Sequence, residues 1–189
     1  GYAQFDEMTA GLQPADLIIV GGRPAMGKTT LALNIVEHVA IRTGVPVAVF
    51  SMGVSAPQLA MRLISSLGRV SATRLRTGRL EGEDWGLVTT SIKTLRDARI
   101  FIDDTPTLLP ETLRSKARQL KREHGLGLVV IDYLQLMQVP GMGENRAAEL
   151  SDVSRSIKAM ARELSVPVIA LGSTPILRTL PLSPILGKR

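Results

Sequence analysis

Five short apolar runs, each followed by a longer stretch in which apolar residues recur every three or four positions, set the layout of this chain. Leu17, Ile18, Ile19 and Val20 form the first run, and residues 45–51, 98–103, 125–132 and 166–171 form the others. Runs this short, rich in β-branched residues and without polar alternation, predict strands buried on both faces. Between them, residues 31–43, 57–67, 80–95, 110–124 and 146–164 carry helical periodicity. Gly44 stands where a helix stop is expected, Ser55 where an N-cap is expected, and Asp104-Thr105-Pro106 marks a turn. Strand and helix alternating in this way predict one α/β domain, a mostly parallel sheet with helices on both faces. Such sheets take ligands at the carboxyl ends of their strands.

Three stretches fit the pattern less well. Residues 1–15 hold Gly11 and Pro14 and little periodicity, so they are expected to pack as a leading segment on the domain edge. Their abrupt start fits a domain cut from a longer protein. Arg69, Arg74, Arg76 and Arg79 cluster between two predicted helices; they suit either a phosphate-facing surface or a solvated helix-loop face, the second being the simpler reading. Residues 138–145 read as a glycine-containing loop, and residues 110–124 as a helix whose Arg114, Lys116, Arg118, Lys121 and Arg122 make one face strongly basic.

The first run leads straight into chemistry. Gly22-Arg23-Pro24-Ala25-Met26-Gly27-Lys28-Thr29 fits G-x-x-x-x-G-K-[ST], between a predicted strand and the start of a predicted helix, which is the context this motif requires. Glycines 22 and 27 allow the backbone to wrap tightly and turn its N–H groups onto phosphate oxygens, beside a helix N-terminus that favours anions. Lys28 adds a full charge at the β- and γ-phosphates, Thr29 offers a hydroxyl to Mg²⁺, and Thr30 extends the polar start of the helix. A chance glycine-rich turn with a lysine would lack both flanking elements. The run Leu128-Val129-Val130-Ile131 ends in Asp132, a carboxylate fit to orient the same Mg²⁺ or, more plainly, to cap a helix. Paired with the phosphate loop, the magnesium role is the stronger. The candidate set is therefore residues 22–30 for ATP, Thr29 and Asp132 for Mg²⁺, and Lys28, Thr29 and Asp132 for catalysis.

Composition narrows the picture. A length of 189 residues with 44% hydrophobic positions suits one globular domain, with no apolar run of the ~18 residues that a membrane span needs and no charged-then-apolar leader. The expectation is a cytoplasmic protein without a membrane partner. Zero cysteines exclude disulfides and thiolate metal sites, and two isolated histidines argue against structural zinc. A formal charge of +6 suits a phosphate-bearing partner, while 3% aromatics leave few rings on which bases could stack.

Several longer strings carry a family resemblance. GLQPADLIIVGGRPAMGKTT, RVSATRLRTGRLEGEDW, LVVIDYLQLM and ENRAAELSDVSRSIKAMARELSVPVIAL occur in the order found in the RecA-like motor domain of bacterial replicative DNA helicases of the DnaB family, which residues 1–171 resemble. The resemblance implies a RecA-like P-loop NTPase fold and a homohexameric ring around single-stranded DNA. It also implies ATP hydrolysis with Mg²⁺ at subunit interfaces, 5′ to 3′ movement, and primase and a helicase loader as partners. Lys28 and Thr29 would then be phosphate and magnesium ligands, Asp132 the second magnesium carboxylate, and residues 138–145 would face the central channel.

The departures are specific. Where the family reads Phe-Ser-Leu-Glu-Met, with its glutamate activating the attacking water, this chain reads Phe50-Ser51-Met52-Gly53-Val54. Glycine can neither take a proton nor orient water, so the chain is expected to bind ATP and turn it over poorly. Glu7, Glu81 and Glu83 have no evident route to that place. The family's Ser-Gln-Leu-Asn-Arg string is replaced by residues 172–178, GSTPILR, opening a divergent tail over residues 172–189. The family's later strands and arginine finger would follow residue 189, and its collar and linker helix would precede residue 1, so the resemblance is to a core truncated at its C-terminal side. Three readings result: a helicase motor core, a nucleotide-holding relative that serves as a partner or regulator, and a strand-exchange or clock-type ATPase sharing only the loop and Asp132.

Overall fold

The computed structural model describes residues 2–137 and 146–173. In chain order the elements are α1 (Ala3–Thr9), β1 (Leu17–Gly21), α2 (Lys28–Glu37), β2 (Val47–Ser51), α3 (Ala56–Gly68), α4 (Ala72–Thr77), α5 (Asp84–Asp97), β3 (Ile100–Asp103), α6 (Pro110–His124), β4 (Leu128–Asp132), α7 (Arg146–Leu164) and β5 (Val168–Gly172). The strands form one parallel sheet in the order β1-β5-β4-β2-β3. The expected α/β class with a parallel sheet is what the chain adopts.

Alternation along each central strand divides the apolar side chains between two cores. Ala48 and Phe50 of β2, Val129 and Ile131 of β4, and Val168 and Ala170 of β5 face the core that holds Leu113 and Ala117 of α6 and Val153, Ile157 and Met160 of α7. Their neighbours Val47, Val49, Leu128, Val130, Ile169 and Leu171 face the other core, with Leu33 and Val36 of α2 and Leu59 and Leu63 of α3. Strands β2, β4 and β5 are buried throughout, as expected. Strands β1 and β3 are only half-buried, contrary to expectation, because each has one partner among the described residues, β5 and β2 respectively, and lies at an edge of the sheet.

Other boundaries differ for local reasons. All four later strands begin two or three residues after the apolar run does; for β2, β4 and β5 the reason is that Pro46 and Pro167 lack a ladder donor and Gly127 closes against Pro46, its N–H donating to the Pro46 carbonyl at 2.9 Å. The leading segment contains a short helix, α1, for which periodicity gives no signal. Part of the arginine-rich stretch is helix α4, whose N-cap Ser71 accepts from the Arg74 N–H at 3.5 Å. The Ser55 cap is present: its N–H is held by the Gln58 side chain at 3.2 Å, and Asp104 takes the next donor, the Ala56 N–H, at 2.8 Å. Helix α2 continues through one π-helical turn, His38–Arg42, before Gly44 ends it at φ +68°. The expected loop at residues 138–145 and the tail beyond Ser173 lie outside the described residues.

Helices α3 and α5 meet at Gly68, where an added Cβ would come within 2.9 Å of the Ser91 hydroxyl and 3.4 Å of the Leu87 carbonyl. Gly68→Ala is therefore expected to lower stability by about 1–3 kcal/mol, the range for overpacking. Gly86→Ala, on α5 with nothing within 4 Å of the new methyl, should gain ~0.5–1 kcal/mol from helix propensity. Denaturant titrations of the two variants check this; equal midpoints would mean the α3–α5 contact is loose.

Candidate functional site

Because all five strands point the same way, their carboxyl ends share one edge of the sheet. Strand β5 lies between β1 and β4, so the loop after β1 and the carboxylate ending β4 flank it on either side. The loop is stitched to β5 by the Gly22 N–H, which donates to the Gly172 carbonyl at 3.2 Å. Its turn is made by Ala25 at φ +62° and Gly27 at φ +81°, the latter serving as the cap of α2. Gly27 thus meets the backbone demand read from the sequence. Gly22 does not have positive φ, and a Cβ there would make only ordinary contact with the Lys28 stem, at 3.5 Å. Arg23, Pro24, Ala25 and Met26 are exposed, Met26 at 72%, and Thr30 is exposed in the first turn of α2.

Lys28 is 7% exposed. Its ammonium donates to the Gly22 carbonyl at 2.8 Å and the Arg23 carbonyl at 2.7 Å, and lies 5.7 Å from the centre of the Tyr133 ring. Beside it, the Thr29 hydroxyl donates to Asp132 Oδ2 at 2.8 Å, joining two residues 103 positions apart. Asp132 is 2% exposed, and its second oxygen, Oδ1, has no hydrogen-bond partner among the described residues. Burial pushes the Asp132 carboxyl above its ordinary range, against the Thr29 hydrogen bond and the charges of Arg62 and Lys28.

A buried carboxylate oxygen without a partner, next to a hydroxyl and a helix N-terminus with a lysine, is a donor set that suits a divalent cation held jointly with phosphate oxygens. No group of three or more His, Cys, Asp or Glu residues among the described residues makes a metal cage of its own. The fit is therefore to a cation that arrives with its anion.

Gly53 is exposed, two residues beyond β2, whose Ser51 is in register with Asp132. An added Cβ would meet Tyr133 Cδ2 at 3.5 Å and Leu136 Cδ1 at 3.6 Å, ordinary contact distances. The motif does not single out Tyr133; its place immediately after Asp132 is the available signal. Most of the basic face of α6 is engaged in structure. Arg118 and Arg114 both bond Glu163 of α7, holding its carboxyl below the usual range, while Lys116 pairs with Asp103 and Lys121 with the Leu126 carbonyl at 2.9 Å. Of the arginine-rich stretch, Arg74 pairs with the buried Asp84 at 2.9 Å.

The profile of the DnaB-like helicase C terminal domain matches residues 1–174. The chain belongs to the DnaB-like helicase C-terminal domain family. A member from Geobacillus stearothermophilus, replicative DNA helicase DnaB, is 53% identical over 172 residues, covering 90% of this chain and 38% of that protein. Replicative DNA helicase DnaC of Bacillus subtilis is 50% identical over 172 residues, again covering 90% of this chain and 38% of that protein. Among solved structures, a DnaB-like replicative helicase, described with its interactions with primase, gives a TM-score of 0.86 at 33% identity, covering 92% of this chain and 42% of the other. A separately solved ATPase domain superposes with a TM-score of 0.87 at 31% identity, covering 98% of this chain and 68% of the other. The fold is accordingly the RecA-like ATPase fold of DnaB-like helicases. The chain spans less than two-fifths of the length of these two curated relatives. No helix among the described residues is long and apolar enough to cross a membrane.

Proposed function

We propose that this chain is the ATP-binding motor core of a replicative DNA helicase, with residues 1–171 as the core and residues 172–189 as a divergent tail. ATP is taken by Gly22 to Thr30, and Mg²⁺ by Thr29 and Asp132. The observation that carries the reading is the Thr29–Asp132 hydrogen bond, which leaves Asp132 Oδ1 buried without a partner among the described residues. Bound Mg-ATP supplies the phosphoryl bond whose hydrolysis drives movement on DNA, the cation offsetting charge on the β- and γ-oxygens. The chain's own part is to orient: loop N–H groups and Lys28 hold the triphosphate, and Thr29 and Asp132 fix the cation on the β4 side. In the whole helicase this core works in a cytoplasmic homohexamer on single-stranded DNA, with primase and a loader as partners; similarity to a helicase described with primase supports that part.

A second reading is favoured by one residue. Gly53 stands where the family resemblance expects a water-activating glutamate, so the chain would hold ATP and hydrolyse it poorly, acting as a partner or regulatory module. Nucleotide binding is common to both readings and is tested first. Lys28→Ala should weaken Mg-ATP affinity about 10- to 100-fold, the scale of one charge-assisted hydrogen bond, in calorimetric titrations. Unchanged affinity overturns both readings.

A further inference from the structure

The geometry points to Tyr133 as a positioning residue for Lys28, its ring face holding the ammonium in place for phosphate. This deepens the nucleotide-site reading and rests on it. Tyr133 is half-buried and packs against the core on the α2 side of the sheet. The Lys28 ammonium lies 5.7 Å from its ring centre, inside the ~6 Å at which a ring quadrupole attracts a cation.

The three groups that hold this ammonium share a property. The Gly22 and Arg23 carbonyls and the Tyr133 ring are dipoles and a quadrupole, and none carries a net charge. The nearby carboxylate, Asp132, accepts from Thr29 instead. Lys28 is thus fixed in position while, among the described residues, no salt bridge competes with a phosphate for its charge. At 7% exposure it is also shielded from water, which strengthens its attraction to an incoming anion. The ring also stands beside Gly53, where a side chain would come into van der Waals range: a Cβ built there would fall 3.5 and 3.7 Å from Cδ2 and Cε2.

An aromatic face is the operative feature, which separates this role from plain packing. Mg-ATP and Mg-ADP affinities are to be measured for the wild-type chain, Tyr133→Phe, Tyr133→Leu, and a chain carrying pentafluorophenylalanine at position 133, whose quadrupole is reversed in nearly the same shape. Tyr133→Phe should bind within about two-fold of wild type, and the leucine and fluorinated variants about three- to ten-fold more weakly. In a Lys28→Met background, Tyr133→Leu should have no further effect, since the interaction runs through the charge. Should the leucine variant fold poorly, the fluorinated one decides. Equal affinity for the phenylalanine and pentafluorophenylalanine chains, with Lys28→Ala still weakening binding, overturns the role of Tyr133 alone. No nucleotide binding by the wild-type chain overturns the site reading with it.

Discussion

Gly53→Glu is expected to raise ATP turnover by about 10²–10⁴-fold, the range associated with a positioned acid-base residue. Space for the side chain already exists: residue 53 does not have positive φ, and the new Cβ would rest against Tyr133 and Leu136 at 3.5–3.6 Å. Strand β2 runs beside β4 with Ser51 opposite Asp132, and the Met52 N–H donates to the Asp132 carbonyl at 2.7 Å, which ties the backbone just before residue 53 to the candidate cation site. A glutamate there would supply a carboxylate able to accept a proton from water, which glycine cannot do. Steady-state phosphate release from the two chains, compared at saturating Mg-ATP, is the measurement. Mg-ATP affinity should change little, because the proposed binding groups are the loop, Lys28, Thr29 and Asp132 and do not include residue 53. A turnover ratio near one, with nucleotide still bound, would falsify the idea that the glycine limits hydrolysis.

How much of this is legible in the sequence follows from what each signal measures. Apolar runs report burial, so the three central strands are plain, but such a run cannot say which strand ends a sheet, and β1 is half-buried. Proline-led starts mislead because Pro46 and Pro167 are apolar yet carry no ladder donor. Helices α1 and α4 are invisible to periodicity because seven and six residues make too little helix to show a stripe. The turn at Gly27 is legible because the motif is local, whereas Gly22, read from the same motif, does not have positive φ. That Thr29 and Asp132 touch depends on strand order, and strand order is a property of the whole sheet. Tyr133 lies beyond reach for the same reason: its meaning comes from Lys28, which is distant along the chain and adjacent in space. The basic face of α6 misleads in the opposite sense, because Glu163, which bonds two of its arginines, lies on another helix.

Asp132→Asn, placed in the Gly53→Glu chain, should cost at least about 10²-fold in turnover, since losing a cation ligand forfeits several kcal/mol of charge stabilisation. It should also remove the Mg²⁺ dependence of nucleotide affinity. Stability gives an independent readout. Burial holds the Asp132 carboxyl above its ordinary value of 3.8, against the pull of Thr29, Arg62 and Lys28. A group whose folded pKa is raised contributes stability that is present below the unfolded pKa and lost as pH rises through the folded one. Ionised Asp132 therefore works against the fold at neutral pH, and asparagine, which never ionises, is exempt from that loss. Relative to its aspartate parent, the variant should gain stability as pH rises from below 3.8 through the raised value and then hold level. Denaturation midpoints across that range, with and without Mg-ATP, test both halves: Mg-ATP should protect the aspartate chain and do so much less for the variant. A stability gap that is the same at every pH, together with undiminished Mg²⁺ dependence, would mean that Asp132 neither bears a buried charge nor holds the cation. Acidification should weaken Mg-dependent binding in the aspartate chain for the same reason, because proton and cation compete for one carboxylate whose affinity for the proton is already raised.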